Sequence, residues 1–407
     1  MSLPRLFDVL TSSLLLVLLS PFLLYRGLAA YRQTKTVFVC DPRLGYRQRR
    51  FNRLSFAGSR CGKDLALLIN VLRGDLAWAG TRALTPDAAA RLPAEAMRHF
   101  DIKPGVVSAY SIRKNIGLAY DDELATDYDF FSTASTKNYI GLCLRAVIGL
   151  LLGGGKPRPT PPILHFWGVD IVNTSMAEAL DWIEQRIQQR QKAQVAFVNP
   201  GCLNIAYTHD AYRQVLQHAD RVLPDGIGIN IGCRLLNQAL LANVNGTDLF
   251  PRLCERAAQG GYSLYLLGGQ PGVAELTAAA MQQRYPQLLI AGVQDGYFTD
   301  AQESQVIDAI NRSGAAILLV GFGVPKQELW LARCRDRLNP AVSLGIGGLF
   351  DYYSGRIPRA PVWMREIGME WSWRLMQEPG RMWKRYLIGN PLFLYRVWRQ
   401  RQLGEKL

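Results

Sequence analysis

Beyond residue 164 the chain alternates short apolar, β-prone runs with segments of helical period. The runs cover residues 195–198, 222–223, 263–267, 315–320 and 342–346, and residues 176–188 and 273–284 repeat apolar positions at helix spacing. Short buried strands between helices predict a parallel sheet covered on both faces, an α/β domain of Rossmann-like type. Each run ends in a polar turn: Asn199-Pro200, Pro224-Asp225-Gly226, Gly268-Gly269-Gln270-Pro271-Gly272, Gly321-Phe322-Gly323-Val324-Pro325-Lys326-Gln327-Glu328 and Gly347-Gly348-Leu349-Phe350-Asp351. Ligands of such sheets gather at the carboxyl ends of the strands. Glycines there let backbone amides approach a phosphate, and the following helix N-termini add partial positive charge. Pro325 suits a first helical turn, which sets Lys326 and Gln327 beside that anion site. Gly-x-Gly after a strand is by itself also an ordinary tight turn. A nicotinamide dehydrogenase would need Gly-x-Gly-x-x-Gly on the first strand, and here that strand ends in Asn-Pro-Gly-Cys.

The first 150 residues follow another pattern. Between Asp8 and Arg26 lie 17 residues without a charge, somewhat fewer than the about 20 that a straight bilayer span requires. Pro21 removes a backbone donor and kinks the segment at Ser20-Pro21. No small-residue cleavage site marks it as a signal peptide. The pattern predicts a re-entrant helix that dips into one leaflet, against the alternative of a buried core helix. Residues 153–162, rich in Gly and Pro, sustain neither helix nor central strand and read as a linker. The expected organisation is a small membrane-associated α/β domain (1–152), a linker (153–164), a catalytic domain (165–358) and a helical, membrane-binding tail (359–407).

Charge sharpens this division. The net +14 resolves into +10 over residues 1–164, −2 over 165–358 and +6 over 359–407. The tail interleaves Trp363, Trp371, Trp373, Trp383 and Trp398 with arginines and lysines, the composition of an interfacial segment. The alternative is that these rings pack on the globular domain. No nucleic-acid-binding pattern accompanies the basic flanks, so the expected partner is membrane lipid and not nucleic acid. Seven cysteines (40, 61, 143, 202, 233, 254, 334) without a Cys-x-x-Cys pair suit reduced thiols, and four isolated histidines suggest no protein-built metal site.

Two resemblances add to this reading. The ordered set Asn199, Leu223-Pro224-Asp225-Gly226, Asn245-Gly246-Thr247-Asp248-Leu249, Gly268-Gly269, the 321–328 turn, Arg359-Ala360-Pro361, Glu370-Trp371, Arg374-Leu375, Glu378-Pro379 with Arg381, and Arg385-Tyr386 resembles the WecG/TagA/CpsF glycosyltransferases from about residue 165 to 400. More weakly, Arg5-Leu6-Phe7-Asp8, Ser20-Pro21, Val37-Phe38 with Arg43-Leu44-Gly45, Asn70-Val71-Leu72-Arg73-Gly74-Asp75, Gly80-Thr81-Arg82 and Ile102-Lys103-Pro104-Gly105 resemble the bacterial sugar transferases that load a sugar phosphate onto polyprenol phosphate. That family places an Asp-Glu pair before its Asn-Val-Leu motif, and here the pair reads Lys63-Asp64. Lysine cannot act as a carboxylate nucleophile, so residues 5–150 are expected to be a degenerate membrane anchor.

The first resemblance implies inverting transfer from a UDP-sugar to an undecaprenyl-diphosphate-linked acceptor, at the cytoplasmic face of the inner membrane, by a monotopic or peripheral enzyme of exopolysaccharide, capsule or envelope glycan synthesis. Such a reaction needs a base for the acceptor hydroxyl, donors for the departing diphosphate and exclusion of water. The implied base is Asp225, whose other reading is a helix cap or Asx-turn residue. Asn199 is expected to position substrate, and Thr247 and Asp248 either to bind substrate or to cap a helix. Donor contacts are expected from Gly268, Gly269, Gly321, Gly323, Lys326 and Gln327, with Glu328 either among them or opposing its own helix dipole. Arg359, Arg374, Arg381 and Arg385 are the cations expected to meet phosphate, or else surface solvation. No cofactor and no metal are called for, and a homo-oligomer is left open. Many relatives carry Thr where this chain has Phe197 and Arg where it has Asn243, which leaves the transferred sugar open. Two further functions stay in play: a bifunctional enzyme that also transfers a sugar phosphate, and a non-catalytic scaffold of the glycan assembly complex.

Overall fold

A computed structural model describes residues 2–58, 62–115, 123–132, 135–153 and 158–403. Cys61 and residues 154–157 of the expected linker lie outside them. The chain divides into two compact units, Met1–Gly154 and Gly155–Leu407.

In the first unit the apolar segment forms two helices, Leu3–Leu18 and Ser20–Thr34, bent by 72° at the break before Pro21. Among the described residues no single helix is long and apolar enough to cross a membrane, but this pair together has the length and composition for it. Leu10, Leu14, Val17, Leu18 and Leu24 are exposed along it. Asp8, buried on the opposite side, accepts from the Tyr139 hydroxyl at 2.6 Å, and Trp78 Nε1 donates to Thr11 Oγ1 at 2.8 Å. These bonds fix the first helix to the small α/β body. That body holds an antiparallel pair, β1 (Phe38–Leu44) with β2 (Arg50–Phe56), and a parallel pair, β3 (Ala77–Ala79) with β4 (Gly105–Val107). Asn70 joins its parts by accepting from Leu54 N (2.9 Å) and donating to Asn52 O (2.8 Å). Asp64, of the Lys63-Asp64 pair, is exposed and bridged by Arg53 at 3.1 Å.

The second unit opens with a hairpin, β5 (Ile163–Phe166) and β6 (Val169–Val172), turned at Trp167 and Gly168, both at positive φ. β5 starts inside the segment assigned to the linker, because Ile163-Leu164 pair with Val172-Ile171 and bury Leu164 completely. Six parallel strands follow: β7 (Ala193–Val198), β8 (Arg221–Pro224), β9 (Ser263–Gly268), β10 (Leu289–Gln294), β11 (Ile317–Gly321) and β12 (Val342–Gly345). They lie in the order β10-β9-β11-β12-β7-β8. Every residue of β7 is buried, as helices covering both faces of a parallel sheet require. One apolar cluster joins the hairpin to β7 and the helix Pro200–Thr208, and another joins β9 and β11 to the helix Lys326–Cys334. The helices Met176–Gln188 and Val273–Arg284 form where the apolar period places them, the first behind a capping box of Ser175 and Glu178.

β10 escapes the apolar-run reading. It is one edge of the sheet, Gly292 interrupts it, and Tyr265 packs so closely there that a Cβ on Gly292 would lie 2.4 Å from that ring. In the tail, Pro391 sits in the first turn of the helix Gly389–Leu403, directly after a π-helical stretch over Lys384–Ile388. A proline tolerates that position because its missing N–H would have had no regular partner there. The inner side of this last helix buries Phe393 and Val397 completely in the core around Phe166 and Trp167, and Arg396 stacks on Tyr207 at 4.0 Å. Its outer side leaves Leu392, Tyr395 and Trp398 exposed.

Candidate active site

At two places along the sheet neighbouring strands send the chain in opposite directions, the positions at whose carboxyl ends ligands of such sheets gather. One lies between β9, which leads outward to β10, and β11, which leads inward to β12. The other lies between β12, followed by the helix Leu349–Tyr353 that packs on Val273–Arg284, and β7, which leads toward β8.

The β7–β8 corner holds Asp225. β8 ends at Pro224, and Asp225 N donates to Val198 O at 2.8 Å, so the residue sits level with the end of β7. Asn199 caps the helix Pro200–Thr208 by accepting from Gly201 N (3.0 Å) and Cys202 N (3.2 Å), and its Nδ2 donates to Asp225 Oδ2 at 3.2 Å. The next helix, Ile227–Leu235, is capped at Gly226, which stands at φ 93° with its N–H on Asn243 Oδ1 at 2.6 Å. No side chain caps that helix. Asp225 is partly exposed. Its carboxyl is nevertheless hemmed in by protein, and burial pushes its pKa above the ordinary carboxylate range; the Asn199 bond and the Arg385 charge oppose that rise without cancelling it. Arg385 reaches over the same corner, where a Cβ on Gly201 would lie 3.1 Å from its Nε.

At the β9–β11–β12 edge the backbones nearly touch. A Cβ on Gly268 would fall 2.6 Å from the Gly321 carbonyl oxygen, to which Gly269 N donates at 3.1 Å. Gly323, at φ 81°, turns the chain into the helix Lys326–Cys334, whose N-cap is Pro325. Gln327 is buried, and its Oε1 accepts from both Gly323 N (3.2 Å) and Gly347 N (2.9 Å). Glu328 is fully buried beside it, while Lys326 lies over the Phe322 ring.

Asp248 takes a different part. Asn245 caps the helix Gly246–Gly260 and also donates to Asp248 Oδ2 at 2.8 Å. Arg359 bridges Asp248 and, at 3.1 Å, Glu370. Burial is the largest single influence and works against the Asp248 charge, but Arg359, Asn245 and Arg365 together outweigh it, and the pKa falls below the usual value. Thr247 presents its carbonyl to the Tyr353 hydroxyl at 2.7 Å. Arg374 is buried near Gly348, stacks on Tyr352 at 5.1 Å and pairs with Glu378 at 2.6 Å. Arg381 shares Glu378 from an exposed position.

The sequence-predicted residues thus form three groups along one edge: Asn199, Asp225 and Arg385; Gly268, Gly269, Gly321, Gly323, Gln327 and Glu328; and Asp248 with Arg359. Two tyrosines that the sequence pattern did not single out as site residues join them. Burial raises the pKa of the Tyr352 and Tyr386 phenols, and the Asp225 charge contributes to both shifts. Tyr352 lies inside the short helix Leu349–Tyr353 and Tyr386 directly follows Arg385, positions that in sequence look like core. Among the described residues His, Cys, Asp and Glu do not gather in groups of three that could hold a metal ion.

A parallel sheet with glycine turns, an amide-bonded carboxylate and arginines at its carboxyl end is an arrangement suited to a phosphorylated ligand. The chain belongs to the WecG/TagA/CpsF family of glycosyl transferases, whose model matches residues 164–406. It is 34% identical over 220 residues (54% of this chain, 85% of the relative) to the N-acetylglucosaminyldiphosphoundecaprenol N-acetyl-beta-D-mannosaminyltransferase of Bacillus subtilis (strain 168). It is 32% identical over 239 residues (58% of this chain, 91% of the relative) to the enzyme of that name from Bacillus spizizenii. The chain is a glycosyltransferase.

Proposed function

We propose that residues 165–407 transfer an N-acetylhexosamine from a UDP-sugar, with inversion, to an acceptor sugar on undecaprenyl diphosphate in envelope glycan synthesis. The relatives' names supply the acceptor class and an N-acetylmannosaminyl group as the first sugar to test. The observation that carries the mechanism is the Asn199–Asp225 pair at the end of β7 and β8. A partly exposed carboxylate with a raised pKa, oriented by a neighbouring amide, is suited to take the proton of an attacking hydroxyl. Arg374 and Arg385, beside the Gly268-Gly269 and Gly321–Gly323 turns, supply positive potential for the departing diphosphate. Thr247 lines the same edge, with Asp248 and Arg359 bracing it.

The tail 359–407 is proposed to lie on the membrane by its outer side. Exposed Trp363, Trp383, Leu387, Ile388, Tyr395 and Trp398 alternate there with exposed Arg381, Lys384 and Arg385, rings for the interface and cations for lipid phosphates. The segment 1–152 is proposed as a second, monotopic anchor on the cytoplasmic face, sugar-transferase-like in origin and inactive at Lys63-Asp64, with 153–164 as linker. The bent helix pair with its exposed leucines supports this reading. Purified protein incubated with UDP-N-acetylmannosamine and an undecaprenyl-diphosphate N-acetylglucosamine acceptor should release UDP and extend the lipid by one sugar. Release of UMP with polyprenol phosphate as acceptor would instead reveal a second activity in residues 1–152.

A further inference from the structure

Glu328 is a buried acid that the transfer chemistry leaves unused. It has no exposure, yet it lies one residue from Gln327, whose amide cross-links two turns of the site. Gln327 Nε2 donates to Glu328 Oε1 at 2.7 Å, while Glu328 Oε2 is buried with no hydrogen-bond partner. The Glu328 backbone carbonyl accepts from Gln194 Nε2 at 3.2 Å, which ties this helix start to β7. Space around the pair is closed: a Cβ on Gly345 of β12 would lie 2.9 Å from Gln327 Nε2 and 3.1 Å from Glu328 Oε1.

An amide side chain can point either end into that space, and the two choices are not equivalent. With Nε2 inward, Oε1 faces two backbone donors, Gly323 N and Gly347 N. With the amide reversed, NH2 would confront both N–H groups, and the turns after β11 and β12 would lose their shared acceptor. The acceptor that selects the first orientation is the Glu328 carboxyl. We infer that Glu328 is a positioning residue: it acts through the Gln327 amide to hold the Gly323 and Gly347 turns together, and so sets the width of the donor-diphosphate end of the site. This rests on the glycosyltransferase reading only for its consequence in donor binding, not for the cross-link itself.

The burial of Glu328 also raises its pKa to about 7, with the Gln327 bond and its own helix amide opposing the rise. The titratable groups facing it are Tyr212, from the helix Asp210–His218, and Cys202, from the helix Pro200–Thr208. Each responds to the Glu328 charge, and both stay neutral near pH 7 because burial raises their pKa values too. A charged acceptor grips Gln327 harder than a neutral one. Deprotonation of Glu328 therefore tightens the cross-link, and donor affinity should rise as pH increases through about 7.

The test compares full-length wild type, Glu328→Gln and Glu328→Leu. Glutamine keeps a carbonyl acceptor without a titration; leucine removes the acceptor. Amide hydrogen exchange of Gly323 and Gly347 should speed up about tenfold in Glu328→Leu and stay near wild type in Glu328→Gln. The β9 amides should be unaffected in both, which separates positioning from general loss of fold. Calorimetric titration with UDP-N-acetylmannosamine, whose diphosphate diester does not itself titrate near neutrality, should show wild-type affinity rising several-fold from pH 6 to pH 8. That rise should vanish in Glu328→Gln, and Glu328→Leu should bind about tenfold more weakly. Unchanged exchange in Glu328→Leu overturns the proposal, as does a wild-type pH dependence retained in Glu328→Gln. Absence of any UDP-sugar binding by the wild type would count against the donor assignment alone, and the exchange data would still decide the role of Glu328.

Discussion

Replacing Arg359 by methionine removes the cation that joins Asp248 to Glu370. Breaking a buried ion pair from one side costs about 3–5 kcal/mol, because the remaining charge keeps its desolvation penalty. Two local features place this site at the lower end. Arg365 stands 3.9 Å from Asp248 and takes over part of the interaction. Glu370, whose pKa burial already raises despite Arg359, can take up a proton. Asp248 has no such outlet, since its side chain is only 7% exposed and its pKa is depressed. The expected loss is about 3 kcal/mol, and a urea m-value of about 1–3 kcal/mol/M turns that into a midpoint lower by about 1–3 M. Tryptophan fluorescence during urea unfolding reads it directly. A depressed carboxylate stabilises the fold above its unfolded pKa, and that stability is lost as pH falls through the folded value. The Asp248 share of the gap between wild type and variant should therefore persist from pH 8 to 5 and close only below about 4. A loss under about 1 kcal/mol, the scale of a surface pair, together with a large rise in donor KM, would refute the reasoning and make Arg359 a substrate cation.

Asn199→Ala removes the cap of the helix after β7, for about 1 kcal/mol of stability. It also removes the bond that lowers the Asp225 pKa, so the acid limb of kcat/KM should move to higher pH in a rate profile. Phe393→Ala empties a fully buried site and should cost about 3–5 kcal/mol in denaturant unfolding. Trp398→Ser on the outer side of the same helix should leave stability within about 0.5 kcal/mol but lower recovery on anionic vesicles in a sedimentation assay. Gly268→Ala sets a methyl 2.6 Å from the Gly321 carbonyl, and should weaken UDP-sugar binding by calorimetry more than it changes the far-UV spectrum.

Much of this fold was readable from apolar runs because its strands are buried on both faces, and the runs 195–198, 263–267 and 315–320 fall on β7, β9 and β11. β10 was absent from those runs although Leu289-Ile290-Ala291 is apolar; as an edge strand it is only partly buried, and burial on both faces is not what its apolar residues report. Asp225 and Asn199 stood out through the ordered motifs of the family resemblance, since every strand here ends in a polar turn and position alone does not single them out. The ion network of Asp248, Arg359 and Glu370 joins residues more than 100 positions apart, so no local spacing exposes it. The tail is the most instructive element. Its Trp and Arg composition describes only the outer side, and the burial of Phe393 and Val397 depends on the β5–β6 hairpin that covers them.

The most direct test of the account is turnover by Asp225→Asn, measured as lipid-linked product formed from UDP-N-acetylmannosamine at saturating donor and acceptor. Asparagine keeps the size and a hydrogen-bond acceptor but cannot take the acceptor proton, so kcat should fall by about 10²–10⁴-fold while donor affinity changes little. A variant that retains wild-type kcat, with its pH profile unaltered, would contradict the assignment of the carboxylate between β7 and β8 as the base.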